Sequence, residues 1–176
     1  MKALALLLAL GVGVLAAAPS AEAQSLTEET IFDLQGVAEK MITLTGAVPE
    51  SEFDWRPMEG VRSIGEVYMH VASANFRFPG MLGSEPPAGT PDAWIRGDAE
   101  GVDADTAARA LTASFRYLIR VVNDIDDLDA PMDVFGRSTN VRGFLIVMTT
   151  HLHEHLGQSI AYARTRGIVP PWSGAP

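Results

Sequence analysis

The sequence predicts an all-α fold made of four long helices, and two observations carry this prediction. Apolar residues recur at spacings of three and four through four segments of the chain, which is the period of a helix with one buried face. Between these segments lie clusters of glycine and proline, from totals of 16 and 11 residues. Because proline interrupts helical hydrogen bonding, the clusters mark the connections.

The first helix is predicted from Leu26 to about Leu44, behind a Thr27 cap, and Gly46 and Pro49 end it. Its inward stripe consists of Ile31, Leu34, Val37, Ala38, Met41 and Ile42. Residues 48–62 contain prolines and a glycine, which predicts an irregular crossover. Within it, we expect Phe53 and Trp55 to be packing anchors.

The second helix is predicted to begin after Ser63 and to end near Phe78, because Ser63 and Glu66 form a Ser-x-x-Glu capping box. This capping role accounts for a glutamate at position 66 without any role in a functional site. Glu66 also lies one turn before His70, so a role as a fourth metal ligand or as a partner of a ligand stays open. Residues 83–101 are rich in proline and glycine and predict an ordered surface loop or lid.

The third helix is predicted from Asp103 to about Ile125, and an acidic segment at 126–131 ends it. That segment lacks the ligand register of a calcium-binding loop, which favours a solvated helix end. The fourth helix is predicted to begin after Asn140 and to run to about Arg166, with Gly167 closing it. Its inward stripe consists of Phe144, Met148, His151, His155 and Tyr162.

Three of the four histidines lie within the fourth helix, at positions 151, 153 and 155. Residues four apart share a helix face, so the imidazoles of His151 and His155 can converge on one point. His153 is rotated by ~200° from His151 and faces the other side. The pair alone also fits a simpler interpretation, in which both rings cap helix carbonyls or form a polar surface patch.

His70 shares a helical stripe with Val67, Val71 and Ala74, which places it on the face expected to be buried. A lone histidine on such a face is more often a core residue than a ligand. If the second and fourth helices pack side by side, however, His70 completes a three-histidine site that leaves coordination positions open, as catalytic metal sites do. Imidazole suits zinc, nickel, copper or iron(II).

Gln158 lies three residues beyond His155 and could hydrogen-bond a ligand imidazole or a bound water, or could cover a neighbouring helix end. His153 and Glu154 begin a pattern like the metalloprotease His-Glu-x-x-His, but Gly157 occupies the position of its second histidine. Glu66 and Gln158 are therefore the two weak candidates for a catalytic role.

These motifs, in this order, resemble the DinB/YfiT-like superfamily of metal-dependent enzymes. The resemblance rests on His70 in the second helix, on His-x-x-x-His-x-Gly-Gln at 151–158 and on Tyr-x-Arg-x-x-Gly-x-x-Pro-Pro at 162–171. It also includes Phe-Asp-Trp-Arg-Pro at 53–57, and it spans roughly residues 26–172. The resemblance implies a four-helix bundle of up-down-down-up topology in which His70, His151 and His155 bind the metal.

The N-terminus has the features of a signal peptide. Lys2 precedes an apolar run that ends before Pro19, and Ala21-Glu22-Ala23 forms an A-x-A cleavage site. We expect a signal peptide at 1–23, a bundle domain at 24–176 and a periplasmic or extracellular location. The run is short for a membrane span of ~20 residues, although a retained anchor is the alternative. A lipoprotein anchor is excluded because the chain has no cysteine.

The formal net charge is -9, with 22 acidic and 13 basic residues and no basic cluster. Such a chain lacks the positive surface needed to neutralise nucleic-acid phosphates or to bind an anionic membrane. The absence of cysteine also excludes disulfides, thiolate ligands and a cysteine nucleophile. The expected partner is a small-molecule substrate, without nucleic acid or a stable membrane anchor, and a homodimer is compatible with the sequence.

The leading hypothesis is a metal-dependent enzyme with one divalent ion on the three histidines, for which zinc, nickel, iron and manganese are the candidates. The family resemblance suggests hydrolysis or the transfer of a small thiol to an electrophile. Export weakens the thiol version, since such thiols are mainly cytosolic. The alternative is a non-catalytic exported bundle that binds a metal or a small ligand.

Overall fold

The computed structural model describes residues 25–174, which form five α-helices and one β-hairpin. The predicted signal peptide and its cleavage site lie outside the described residues. The helices are α1 (Leu26–Ala47), α2 (Ile64–Arg77), the short α3 (Asp92–Arg96), α4 (Ala104–Asn123) and α5 (Val141–Thr165). The strands β1 (Pro131–Val134) and β2 (Arg137–Asn140) pair antiparallel just before α5.

Each long helix begins at a side-chain cap. Capping boxes open α1 and α2, where Ser25 pairs with Glu28 and Ser63 pairs with Glu66. The prediction that Thr27 caps α1 was wrong, because the Ser-x-x-Glu pattern starts two residues earlier and satisfies two N–H groups at once. Asn140 caps α5, as the sequence predicts, and Asp103, predicted as the start of the third helix, is the cap of α4.

The four long helices form a four-helix bundle in which α1 and α2 each pack against both α4 and α5. Asp33, in the first half of α1, contacts His153 in the middle of α5. Glu52, just after α1, contacts Arg166 at the end of α5. The two helices therefore run parallel. Phe78, just after α2, packs on Phe144 in the first turn of α5, so α2 and α5 run antiparallel. The topology is up-down-down-up, as the resemblance implies.

One apolar core joins the four long helices. Its most buried side chains come from every one of them and include Leu34, Met41, Tyr68, Met69, Leu111, Leu118, Phe144 and Met148. Across the described residues, no helix combines the length and the apolar character needed to span a bilayer. Burial of these stripes is the main source of stability, since isolated helices of this length are marginal in water.

The short helix α3 and the hairpin were not predicted. Residues 83–101 were expected to form a loop, yet they contain α3, which is held on α2 by the bond from the Ser73 hydroxyl to the Ile95 carbonyl. Gly97, with φ of 78°, permits this close approach, because an added Cβ would lie 3.1 Å from the Ser73 side chain. The hairpin was also missed, since its four-residue strands carry no clear alternation of apolar and polar residues.

Two glycines of α5 offer a matched test of this packing. Gly157 faces open space, so Gly157→Ala should raise the free energy of unfolding by about 0.5–1 kcal/mol through helix propensity. At Gly143 an added Cβ would collide with the Thr139 side chain of β2. Gly143→Ala should therefore lower the free energy of unfolding by about 1–3 kcal/mol, measured by urea denaturation. Equal effects in the two variants would mean that the hairpin does not constrain α5.

Candidate metal centre

Three histidines meet where α2 packs against α5. His70 lies in the middle of α2, and His151 and His155 lie one turn apart on α5. The ring centres are 5.3 Å apart for His70 and His151, 4.7 Å for His70 and His155, and 4.6 Å for the pair on α5. One potential ligand atom from each ring lies within 4.8 Å of the other two. Nitrogens this close can share one ion.

The surroundings keep His70 and His151 uncharged. Burial lowers the pKa of His70 to about 4, and the positive charge of Arg62 and the two neighbouring imidazoles add to the effect. Burial also lowers the pKa of His151, with a further contribution from His155. Neutral imidazoles carry the free lone pair that a metal ligand needs, so both rings are ready to bind at neutral pH.

The Nε2 atom of His151 is buried and has no hydrogen-bond partner among the described residues. An unpartnered buried polar atom costs about 1–3 kcal/mol. A coordinated cation would satisfy it. The residues present therefore fit a divalent ion with imidazole preference, such as zinc, nickel or iron(II).

His155 is oriented by a chain of hydrogen bonds along α5. Its Nδ1 lies 2.8 Å from Oε1 of Gln158, and Nε2 of Gln158 donates to the Tyr162 hydroxyl at 3.0 Å. Since Oε1 can only accept, Nδ1 of His155 carries the proton and Nε2 remains the free ligand atom. Partners of this kind fix the tautomer of metal-binding histidines. The sequence left two roles open for Gln158, which were a hydrogen bond to a ligand imidazole or water and the covering of a helix end. In the structure Gln158 is hydrogen-bonded to the candidate ligand His155.

The crossover after α1 packs against the last residue of this series of hydrogen bonds. Trp55 packs edge-on against Tyr162, with ring centres 5.5 Å apart. Arg166 lies over the Trp55 ring and is bonded to Glu52 at 2.6 Å. Sequence reasoning assigned Trp55 to packing and Tyr162 to the inward stripe but missed their link to the site. The four-residue spacing of Gln158 and Tyr162 is the signal that could have found it.

Glu66 lines the same cleft as His70 but does not join the three histidines, and within residues 25–174 no carboxylate does. Its carboxylate accepts from the Ser63 backbone N–H at 2.6 Å and from Arg56 at 3.2 Å. The cleft has a volume of about 1020 Å³ and is also lined by Gln158 and Arg62. The site is thus open to a polar cleft on one side.

His153 lies away from the site, as its helical position predicts. Its side chain is exposed on the α1 side of α5, where Nε2 lies 2.8 Å from Oδ1 of Asp33. Because both groups are largely exposed, this contact contributes little to stability. His153 has no contact with the three-histidine group.

Comparison with known proteins gives one family. The model of the DinB superfamily matches residues 33–159, which include all four histidines. No curated protein matches the chain.

The fold is similar to several solved structures. A DinB-like protein from Bacillus cereus is 19% identical with a TM-score of 0.68, over 85% of this chain and 97% of that one. A DinB-like protein from Bacillus subtilis is 16% identical with a TM-score of 0.61, over 80% and 93%. YfiT from Bacillus subtilis, described as a probable metal-dependent hydrolase with an unusual four-helix bundle topology, is 19% identical with a TM-score of 0.63, over 84% and 93%. At these identities the likeness concerns the fold.

The two histidines on opposite faces of α5 provide a matched pair for metal analysis. His155→Ala should abolish stoichiometric metal binding, because it removes one of three converging ligands. His153→Ala should leave the metal content unchanged, since its ring contacts Asp33 instead. Elemental analysis of the two purified variants after identical metal loading measures this. Equal losses would mean that the metal does not bind where the three rings meet.

Gln158 allows the orientation of His155 to be tested separately. Gln158→Leu removes the acceptor for Nδ1 of His155 at similar size and should weaken metal affinity by roughly 10–100-fold. Gln158→Glu keeps an acceptor and should bind nearly as well as the original protein. Competition with a chromophoric chelator gives both affinities. An unchanged affinity in Gln158→Leu would show that this hydrogen bond does not prepare the ligand.

Proposed function

The chain belongs to the DinB superfamily, and from this premise we propose that it is a metal-dependent enzyme of the hydrolase type. In this proposal His70, His151 and His155 hold one divalent ion. The cofactor is zinc, nickel, iron or manganese, and the substrate is a small molecule that enters through the cleft beside His70.

The observation that carries the proposal is the convergence of three imidazoles, one of which has a buried nitrogen without a partner. Three protein ligands leave positions for water and substrate, which distinguishes catalytic from closed structural sites. When bound, a divalent ion supplies a Lewis acid and lowers the pKa of a coordinated water toward ~7.

The chain's own side chains have supporting roles. Gln158 holds the proton on Nδ1 of His155 and so directs Nε2 toward the ion. Phe78 packs edge-on against His151 and gives that side of the site an apolar wall. Arg62 lines the cleft and adds positive charge beside His70, which favours a substrate with a negatively charged or strongly polar group there.

Transfer of a small thiol is the second candidate. The observation that favours it is the engagement of Glu66, whose two carboxylate oxygens already accept hydrogen bonds and so leave it poorly suited as a general base. A thiol substrate has a lower pKa than water and depends less on such a base. Neither candidate requires a cysteine from the chain.

Export and the absence of nucleic-acid and membrane partners also remain proposals. They are supported by the apolar N-terminal segment with its Ala-Glu-Ala sequence and by the net charge of -9. The cap of α1, formed by Ser25 and Glu28, lies after the predicted cleavage site. Removal of residues 1–23 would therefore leave the first helix of the domain complete.

Cobalt(II) substitution distinguishes an enzyme from a stabilised scaffold. Azide or a small thiol should change the visible spectrum of the cobalt protein, because an open site has exchangeable positions. The apoprotein should remain helical and unfold cooperatively, since the apolar core spans all four long helices without the ion. His70→Ala is the control and should lose the cobalt spectrum. Loss of the fold on chelation, with no spectral response to azide, would instead support the non-catalytic alternative.

A further inference from the structure

The tip of the β-hairpin has an unusual backbone. Phe135 and Gly136 connect the strands and have φ of 55° and 80°. Two positive φ angles in a two-residue loop are typical of a type I′ turn, whose first position favours asparagine, aspartate or glycine. Phe135 is the one non-glycine residue with positive φ among residues 25–174. For a bulky residue this conformation is a genuine outlier.

Burial of the Phe135 side chain does little to offset the strain of its positive φ. It is 76% exposed, and its ring centre lies 6.5 Å from that of Phe78. An aromatic residue that is strained and largely exposed stabilises its own turn less than asparagine would. Such outliers are concentrated at sites where a ligand or a partner is held.

Phe135 lies at the edge of a second pocket that reaches the candidate metal centre. The pocket has a volume of about 430 Å³, and its walls include Ala74, Phe78, Met81 and Val147. His70 and His151 belong to its lining as well. This size lies within the usual range for small-molecule sites.

The two cavities share His70 and differ in character. The larger cleft is lined by charged side chains such as Arg62 and Glu66, whereas five of the nine residues that line the second pocket are apolar and Arg77 is its one arginine. Ser73, a polar residue of the second pocket, has its hydroxyl engaged with the Ile95 carbonyl. A molecule with its reacting group at the histidines could therefore place a polar part in the cleft and an apolar part in the pocket.

We propose that the pocket between α2, α5 and the hairpin binds an aromatic or branched aliphatic group of the substrate, and that Phe135 is a specificity-determining residue that packs against it. The proposal rests on the function proposed above, because the reacting end of the same molecule lies at the three histidines. The strained turn is then explained by ligand contact, since the Phe135 ring adds an apolar wall to the pocket.

Two hydroxamates test the pocket in the cobalt(II)-substituted protein. Acetohydroxamate and benzohydroxamate offer the same metal-binding group and differ in their apolar part. Visible titration should show that benzohydroxamate binds at least ~10-fold more tightly, because its ring is removed from water in the pocket. Phe135→Asn should reduce benzohydroxamate affinity about fivefold and leave acetohydroxamate affinity unchanged.

Phe135→Asn should also raise the melting temperature of the metal-free protein by a few degrees, because asparagine tolerates positive φ. Phe32→Asn is the matched control, since Phe32 is 73% exposed on α1 and lines a surface cavity that also includes His153. It should change neither the hydroxamate affinities nor their ratio. Opposite effects of Phe135→Asn on stability and binding are not expected of a residue that only supports the fold.

The outcomes separate this proposal from the one on which it rests. Binding of acetohydroxamate without a preference for benzohydroxamate, or a preference that Phe135→Asn leaves intact, would overturn the pocket proposal and preserve the open metal centre. No response to either hydroxamate would overturn both proposals. A loss of self-association in Phe135→Asn with an unchanged affinity ratio would assign Phe135 to a subunit contact and overturn its role in specificity.

Discussion

The partial burial of three imidazoles between α2 and α5 is the constraint on which the site depends. Burial keeps His70 and His151 uncharged, and it leaves Nε2 of His151 without a partner among the described residues. Such a cluster has a cost that apolar side chains at the same positions would not have. The arrangement makes physical sense when a cation uses the lone pairs that the chain leaves free.

The surroundings hold that cluster in place with two separate sets of contacts. One is the apolar core, which joins the four long helices and sets α2 beside α5. The other is polar and aromatic, and it runs from His155 through Gln158 and Tyr162 to Trp55 in the crossover. The first set supplies stability without the ion, and the second fixes the orientation of one ring. We therefore expect that fold and site can be perturbed independently.

The helical period of the apolar residues and the capping residues predicted most of this arrangement from the sequence. Two of the four long helices, α2 and α5, begin at their predicted caps, and the face of α5 that carries His151 and His155 follows from their spacing. The contact of His70 with that pair depends on how two distant helices pack. From the residues alone, the contact was predicted only on the condition that these two helices pack side by side. The family resemblance implied that His70 joins His151 and His155.

What the sequence did not predict depends on tertiary contacts or on short local signals. The predicted Thr27 cap was wrong because the capping box of Ser25 and Glu28 begins the helix two residues earlier. The hairpin has strands of four residues, and Phe135 at its tip contradicts the usual turn preference. The link from Trp55 to the metal centre joins residues more than a hundred positions apart and exists only in the folded chain.

The central claim is that one divalent ion binds at the meeting point of α2 and α5. Anomalous diffraction from crystals grown with zinc or cobalt tests it most directly. We expect a single strong peak bonded to His70, His151 and His155 at ~2.0–2.1 Å. A peak at the exposed pair of His153 and Asp33 instead, or three empty imidazoles at saturating metal, would contradict the account.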